Sequence, residues 1–302
     1  MSTWKILVER LRQGHRTAAY PDEPPSLPDR FRGHPWLEPA RCPDGCRECI
    51  EACPTDALRL DGRGLGLDLG RCLFCPECSA ACPAGAIGFS GEHAMAARRR
   101  EDLVVHGELL AQAQALEERM LRLFRRSLKL RQVSAGGCNA CEADVNVLST
   151  PVFDLGRFGI QMVASPRHAD GLLITGAVSE NMRLALEKTY EAVPAPKIVI
   201  AVGACAISGG PYAGHPEVLG GAGAVVPVDL WIPGCPPHPY TILEGLLALL
   251  DRLPTERLQV VATVDPETVR WGRERAEHAL RYLGADEGRG IQNQPPSTER
   301  KP

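Results

Sequence analysis

The apolar positions of this chain follow different rhythms in different stretches. Near the start, Trp4, Leu7, Val8 and Leu11 recur at helical spacing, with Lys5, Glu9, Arg10 and Arg12 opposite. That pattern predicts a short amphipathic helix, which either docks on a partner or packs on its own domain. Between Ala94 and Lys129, Leu109, Leu110, Ala113, Leu116, Met120, Leu123 and Phe124 share one helical face, predicting a long helix or a pair of helices. Beyond Ser127, near-continuous apolar runs alternate with helical stretches. Lys129–Val133, Gly171–Thr175, Lys197–Val202 and Val225–Ile232 read as strands, and Ser179–Val193 and Tyr240–Leu253 as helices. Strands without polar alternation are buried on both faces, so this half is expected to be an α/β, flavodoxin-like doubly wound parallel sheet. Ligands of such sheets sit at the carboxyl ends of the strands.

The stretch between the first two rhythms is irregular. Pro21, Pro24, Pro25, Pro28, Pro35 and Pro39 make residues 20–39 an extended arm. A doubled pattern follows. Ala57–Leu60 and Ala86–Phe89 are short strand-like pieces, each placed after a cysteine motif, and Gly62, Gly64 and Gly66 mark the turn between the halves. An internal repeat of this kind predicts a pseudo-symmetric α+β, ferredoxin-like unit.

The chemistry lies in the cysteines. Cys72, Cys75, Cys78 and Cys82-Pro83 have the spacing C-x2-C-x2-C-x3-C-P, which holds a cubane iron–sulfur cluster. The fourth cysteine of such a run ligates the other cluster of the pair, and it is expected to open a helix leading away from the loop. Cys42, Cys46, Cys49 and Cys82 are therefore expected to hold one cluster, and Cys72, Cys75, Cys78 and Cys53 the other. Cys42 and Cys46 are separated by three residues instead of two, with Gly45 in the enlarged loop. Zinc held by paired C-x2-C is the competing chemistry. Four further cysteines, Cys138, Cys141, Cys205 and Cys235, each follow a predicted strand, so the parallel sheet brings them to one edge, as a third [4Fe-4S] cluster requires. A C-x-x-C redox pair with two buried thiols is the alternative there. Glycines at 136, 137, 203 and 234 let backbone amides turn toward sulfur.

Composition narrows the partners. A formal charge of −3 argues against a nucleic-acid surface, and no apolar run approaches the roughly 18 residues of a membrane span. Met1 leads into polar sequence without a signal-peptide core, so the chain is expected in the cytoplasm, where thiolates are reserved for metal. No phosphate-loop or dinucleotide glycine pattern is present. The basic run Arg119, Arg122, Arg125, Arg126, Lys129 and Arg131 is either a solvated face or a surface for an acidic partner.

The residues also carry a resemblance. Gly137-Cys138-Asn-Ala-Cys141-Glu142, Gly203-Ala-Cys205 and Pro233-Gly-Cys-Pro-Pro237 resemble the small subunit of membrane-associated group 4 [NiFe] hydrogenases, which is related to the 20 kDa subunit of respiratory complex I. The C-x-x-C at 138–141 and His238 after the P-G-C-P-P favour the hydrogenase branch. Residues 1–105, with Ala18-Ala-Tyr20-Pro21, Phe31-Arg32-Gly33 and Cys72-Leu-Phe-Cys75, are similar to the two-cluster ferredoxin-like subunit of formate hydrogenlyase. The resemblance covers roughly residues 1–253 and implies a fusion of the two. It implies three [4Fe-4S] clusters and peripheral placement on the inner face of the cell membrane. The implied partners are a [NiFe] hydrogenase-type large subunit, integral membrane subunits and a donor such as formate dehydrogenase or a ferredoxin. A complex I-like quinone-reducing module, a nickel-free hydrogenase relative and a zinc scaffold are the rivals. Glu142 is expected to hydrogen-bond the cluster loop, with proton handling as the alternative, and His238 to be a packing or surface residue and not a ligand. The expected divisions are 1–40 helix and arm, 41–93 ferredoxin domain, 94–126 helical linker, 127–284 small-subunit domain and 285–302 disordered tail.

Overall fold

The computed structural model describes residues 3–14, 16–106 and 115–253. The expected tail, and the part of the second domain beyond 253, lie outside the described residues. Helix α1 (Thr3–Gln13) forms as its spacing predicts but buries none of its residues; Trp4, Ile6, Leu7 and Leu11 all face solvent. Packing on its own domain is not realised among the described residues.

The cysteine-rich module is built from β1 (Pro35–Leu37), α2 (Glu48–Glu51), β2 (Leu58–Asp61), β3 (Gly64–Asp68), α3 (Glu77–Ala81), β4 (Ile87–Phe89) and β5 (Val104–Val105). Strand β1 pairs with β4, and β3 lies between β2 and β5, all antiparallel. The duplication is visible in the bonding. Ala57 N donates to Cys53 Sγ at 3.2 Å, and Ala86 N donates to Cys82 Sγ at 3.2 Å, four residues on in each half. Gly62 lies in the turn, whereas Gly64 and Gly66 belong to β3. The His106 ring packs on Gly66, where a Cβ would stand 2.7 Å from its Nε2.

The fourth cysteine of each motif differs from expectation. Cys53 and Cys82 end short helices instead of opening them, Cys82 as the C-cap of α3 in extended conformation. Pro54 and Pro83 explain this, because a residue before proline is driven out of the helical region.

The helical linker expected over 94–126 is corrected over 94–106. Residues 94–106 contain a 3-10 turn at 100–103 and strand β5, and α4 (Glu118–Phe124) is short; residues 107–114 lie outside the described set. Tertiary pairing overrides helical propensity here. Ala97 exchanges both backbone hydrogen bonds with Trp231, at 2.9 and 2.8 Å, and Val104 and Val105 extend the sheet of β3.

The second half contains β6 (Leu128–Ser134), α5 (Ala140–Val147), β7 (Ile160–Met162), β8 (Gly171–Thr175), α6 (Glu180–Ala192), β9 (Ile198–Val202), α7 (Ala204–Ser208), β10 (Leu230–Ile232) and α8 (Pro239–Leu249). Its sheet is five-stranded and wholly parallel, in the order β7-β6-β8-β9-β10. Renumbered from β6, that is 2-1-3-4-5, an order of doubly wound α/β sheets. Alternate residues serve two cores. Leu172, Ile174, Val199 and Ala201 pack with Leu186 of α6 and Ile207 of α7. Leu173, Ile198, Ile200 and Val202 pack with Val145 of α5 and with Ile242 and Leu246 of α8. The cysteine-rich module joins the α6/α7 core through Leu58, Leu67, Leu69 and Met95. Ser208 Oγ donates to Gly70 O at 2.9 Å and Arg98 Nε to Asp229 O at 2.7 Å across the same junction.

Candidate metal centres and their surroundings

All twelve cysteines are free thiols within the described residues. Sheet topology places the second group. Strands β6, β9 and β10 are parallel, so the loops after Ser134, Val202 and Ile232 leave the same edge, carrying Cys138 and Cys141, Cys205, and Cys235 respectively. Cys141 and Cys205 are half-buried, while Cys138 and Cys235 reach the surface.

Mutual electrostatics sort the thiols into sets. Burial first, and then Cys82, Cys42 and Cys46, push the Cys49 thiol up to about 11. Burial, then Cys75, Cys53 and Cys49, push Cys78 up to about 12, and Cys72 is raised by burial and by Cys78, Cys75 and Cys53. Cys141 is raised by burial and by Cys205, Glu142, Cys235 and Cys138. The structure thus brings together 42, 46, 49 and 82; 53, 72, 75 and 78; and 138, 141, 205 and 235. Cys42 joins its set despite the longer spacing, its thiol raised by burial and then by Cys82 and Cys46. Gly45 in that enlarged loop has φ +74°, a conformation glycine adopts without strain.

The sets are also neighbours of one another. Cys49 of the first contributes to the upward push on Cys78 of the second, and Cys75 of the second to that on Cys235 of the third. The middle set is therefore 53, 72, 75 and 78.

The surroundings suit thiolates spread over a cluster. Backbone amides point at sulfur: Phe74 N donates to Cys72 Sγ at 3.3 Å, beside the bonds to Cys53 and Cys82. Gly203 has φ +92° and ψ 153°, and a Cβ there would stand 2.6 Å from Cys141 Sγ. Among the described residues no three His, Cys, Asp or Glu side chains close round a single ion. A cubane distributes its four thiolates over four separate irons. Buried protonated thiols release their protons as metal binds.

Glu142 is 7% exposed and accepts from Ser134 Oγ at 2.6 Å and Thr175 Oγ1 at 2.7 Å. Burial pushes its carboxyl up, but these hydroxyls outweigh it and hold the group below the ordinary range. Both hydroxyls stand at strand ends, of β6 and β8, so Glu142 fastens the first loop to the sheet. His238 packs as expected: it caps α8, its Nδ1 accepting from Tyr240 N at 3.2 Å, and stacks on Tyr240 with centroids 5.6 Å apart.

One constellation had no reading in the sequence. Tyr20 of the arm donates to Glu244 of α8, and its hydroxyl lies 3.2 Å from His93 Nε2, all three side chains being buried. Arg157 Nη2 holds Tyr20 O at 2.6 Å. Nearby, Arg32 Nε donates to Phe74 O and Phe31 meets the His238 ring edge-on at 5.3 Å. A glutamate inside the apolar face of a helix was the one available signal.

Residues 138–249 match the NADH ubiquinone oxidoreductase 20 kDa subunit family, and residues 41–86 match the 4Fe-4S dicluster domain. A probable membrane-bound hydrogenase subunit of Pyrococcus furiosus is 40% identical over 141 residues, which cover 46% of this chain and 84% of that protein. The chain belongs to the 20 kDa subunit family. Formate hydrogenlyase subunit 7 of Escherichia coli (strain K12) is 44% identical over 139 residues, 46% of this chain and 54% of that protein. This chain therefore spans about half the length of that relative. An NADH-quinone oxidoreductase subunit of Clostridium beijerinckii is 40% identical over 118 residues, 39% of this chain and 70% of that protein. The family member is fused to a dicluster ferredoxin module, and it is an iron–sulfur electron-transfer subunit of the hydrogenase or complex I type. No helix among the described residues is long and apolar enough to cross a membrane.

Proposed function

We propose that this chain relays electrons in a membrane-associated group 4 [NiFe] hydrogenase complex of the formate hydrogenlyase type. The observation that carries the reading is the sorting of all twelve cysteines into three neighbouring sets of four. Each set fits one [4Fe-4S] cluster, which when bound supplies one-electron transfer. Cys138, Cys141, Cys205 and Cys235 would hold the cluster proximal to the nickel–iron site of a large subunit, since two of these thiols face outward from the sheet edge. Cys53, Cys72, Cys75 and Cys78 would hold the intermediate cluster. Cys42, Cys46, Cys49 and Cys82 would hold the one that meets a donor such as formate dehydrogenase or a ferredoxin. The protein's part is to fix these positions, exclude water with Leu58, Leu67 and Phe74, and aim amides at sulfur. Every cysteine falls in a set and none is left for a nickel-binding pair, so the polypeptide by itself is expected to turn nothing over. The likeness to a membrane-bound hydrogenase subunit supports attachment to the membrane through integral membrane subunits.

Anaerobically purified protein is expected to contain about twelve irons with matching acid-labile sulfide. Cys205→Ser is expected to abolish donor-linked hydrogen evolution by the assembled complex. A variant complex that keeps its large subunit, lacks the third cluster and still evolves hydrogen sinks the relay. Zinc in place of iron and sulfide returns the chain to a scaffold role. A second reading, a complex I-like quinone-reducing or nickel-free module, draws support from the 40% identity to the NADH-quinone oxidoreductase relative. Paired C-x-x-C motifs in the large subunit encoded nearby decide for nickel. Quinone reduction without hydrogen chemistry decides for the second reading.

A further inference from the structure

On the α5/α8 face of the sheet, opposite the cysteine-rich module, the end of α4 and the turn after α8 enclose an open cleft of about 790 Å³. Arg122, Arg125, Arg126 and Arg252 line it, and among the described residues Asp251 is the only carboxylate on its wall. Two of the four guanidiniums have structural work. Arg252 donates from Nη1 to Phe158 O at 2.5 Å and from Nη2 to Arg125 O, while Arg125 Nη2 donates to Asp251 O at 3.2 Å and stands 3.6 Å from its carboxylate. These crossed bonds tie α4 to the end of α8.

Arg122 and Arg126 do not take part in that tie. They are exposed, stand four residues apart, and make no hydrogen bond or ion pair among the described residues. Basic residues at a helix C-terminus suit its dipole. That effect does not account for a further arginine, Arg252, brought to the same cleft by the turn after α8. Among the described residues, four positive charges against one negative leave three that the cleft does not neutralise. The strain registers on Arg252, held below its ordinary range by burial and then by the nearby Arg125.

We propose that this cleft binds a phosphate-bearing anion. A planar guanidinium presents paired donors that match phosphate oxygens. A phosphate monoester carries nearly two negative charges at neutral pH, where a second carboxylate would add one; a lipid phosphodiester carries one but presents the same paired oxygens. Leu121 and Phe158 complete the lining and offer apolar contact to whatever carries the phosphate. The chemistry has two sources, a soluble phosphorylated compound or the headgroup of an anionic lipid.

The full-length chain is titrated at low salt with inorganic pyrophosphate, followed by calorimetry, and with phosphatidylglycerol vesicles, followed by co-sedimentation against pure phosphatidylcholine. The Arg122→Gln/Arg126→Gln double variant changes exposed side chains outside the tie, and its fold is checked by circular dichroism; Arg183→Gln on α6 is the control. Wild type and control are expected to bind at least one probe, with affinity falling as salt rises, and the double variant to bind at least tenfold more weakly. Pyrophosphate binding alone names the soluble source, and vesicle binding alone names the headgroup. Vesicle binding that survives the double variant lies elsewhere on the chain and overturns the lipid source. Failure of both probes to bind wild type, or pyrophosphate binding unchanged in the double variant, overturns the proposal.

Discussion

Replacing Gly203 by alanine isolates the third cysteine set from the rest of the chain. Gly203 sits between β9 and α7 at φ +92° and ψ 153°, a region that is essentially glycine-only, so alanine there costs about 1–3 kcal/mol in backbone strain. Its Cβ would also stand 2.6 Å from Cys141 Sγ, about 1 Å inside a favourable contact, and overpacking of this kind adds roughly 1–3 kcal/mol. Even the sum of the lower bounds, about 2 kcal/mol, weakens the local arrangement roughly thirtyfold. Relief requires moving Cys141 or the loop that carries Cys205, and either motion separates the four thiols. Anaerobically reconstituted Gly203→Ala should therefore lose about four irons per chain while keeping the EPR signals of the two ferredoxin-type centres. Gly214→Ala is the control, because φ is +85° there but no atom lies within 4 Å of the added Cβ. It should melt at lower temperature and keep its iron. Full iron and unaltered signals in Gly203→Ala would show that the close approach to Cys141 does not govern the site.

Cys53→Ser should cost about four irons and remove the signal of the centre held by Cys72, Cys75 and Cys78. Loss of the other ferredoxin-type signal instead would reverse the crossed assignment. Tyr20→Phe removes one hydroxyl from the buried contact with Glu244 and His93, so the unfolding free energy should fall by about 1–3 kcal/mol, read as a lower urea midpoint at unchanged slope. An unchanged midpoint would show that this contact carries no net stability. His34 is buried, its Nε2 has no hydrogen-bond partner among the described residues, and burial lowers its pKa from 6.5 to about 4. The unfolded chain takes up that proton first, so the contribution is complete above 6.5 and lost as pH falls toward 4, about 3 kcal/mol in all. Urea unfolding of His34→Leu should lack this part of the acid slope; a slope equal to wild type counts against a neutral buried imidazole.

Legibility in the sequence followed the range of the interactions. The cysteine sets were readable because ligand spacing is local in each motif, and because a parallel sheet converts three strand ends into one edge. Strands β8 and β9 were readable because burial on both faces leaves no polar residue in Gly171–Ile174 or Ile198–Val202. Strand β7, with only three residues, has no such signature. The segment after Ala94 misled because its composition favours helix, while its conformation is set by Trp231, more than 130 residues away. Likewise Pro54 and Pro83 end the two cysteine helices where cluster spacing alone suggested a start. The Tyr20–His93–Glu244 contact joins an arm, a connector and α8, and no local pattern announces such a meeting.

That contact bears on why two modules occupy one chain. An electron relay needs its centres at fixed separations, and a loosely tethered ferredoxin module would leave the step between the middle and third sets to chance. Here the arm crosses the junction. Arg32 holds the Phe74 carbonyl in the loop of the middle set, and the preceding residue, Phe31, packs on His238 just after Cys235. Tyr20, earlier in the same arm, is fastened to α8 through Glu244 and to Arg157 through its carbonyl. Ser208 and the Ala97–Trp231 pair close the junction from the other side. The proline-rich arm therefore spans the two cysteine loops whose thiols, Cys75 and Cys235, are electrostatic neighbours. Proline restricts the arm before folding, so less conformational entropy is lost in laying it down than for a free linker of equal length. On this argument the arm is the element that sets the middle-to-third step. Loosening it at Arg32 should disturb the magnetic interaction between those two centres before it disturbs either centre alone.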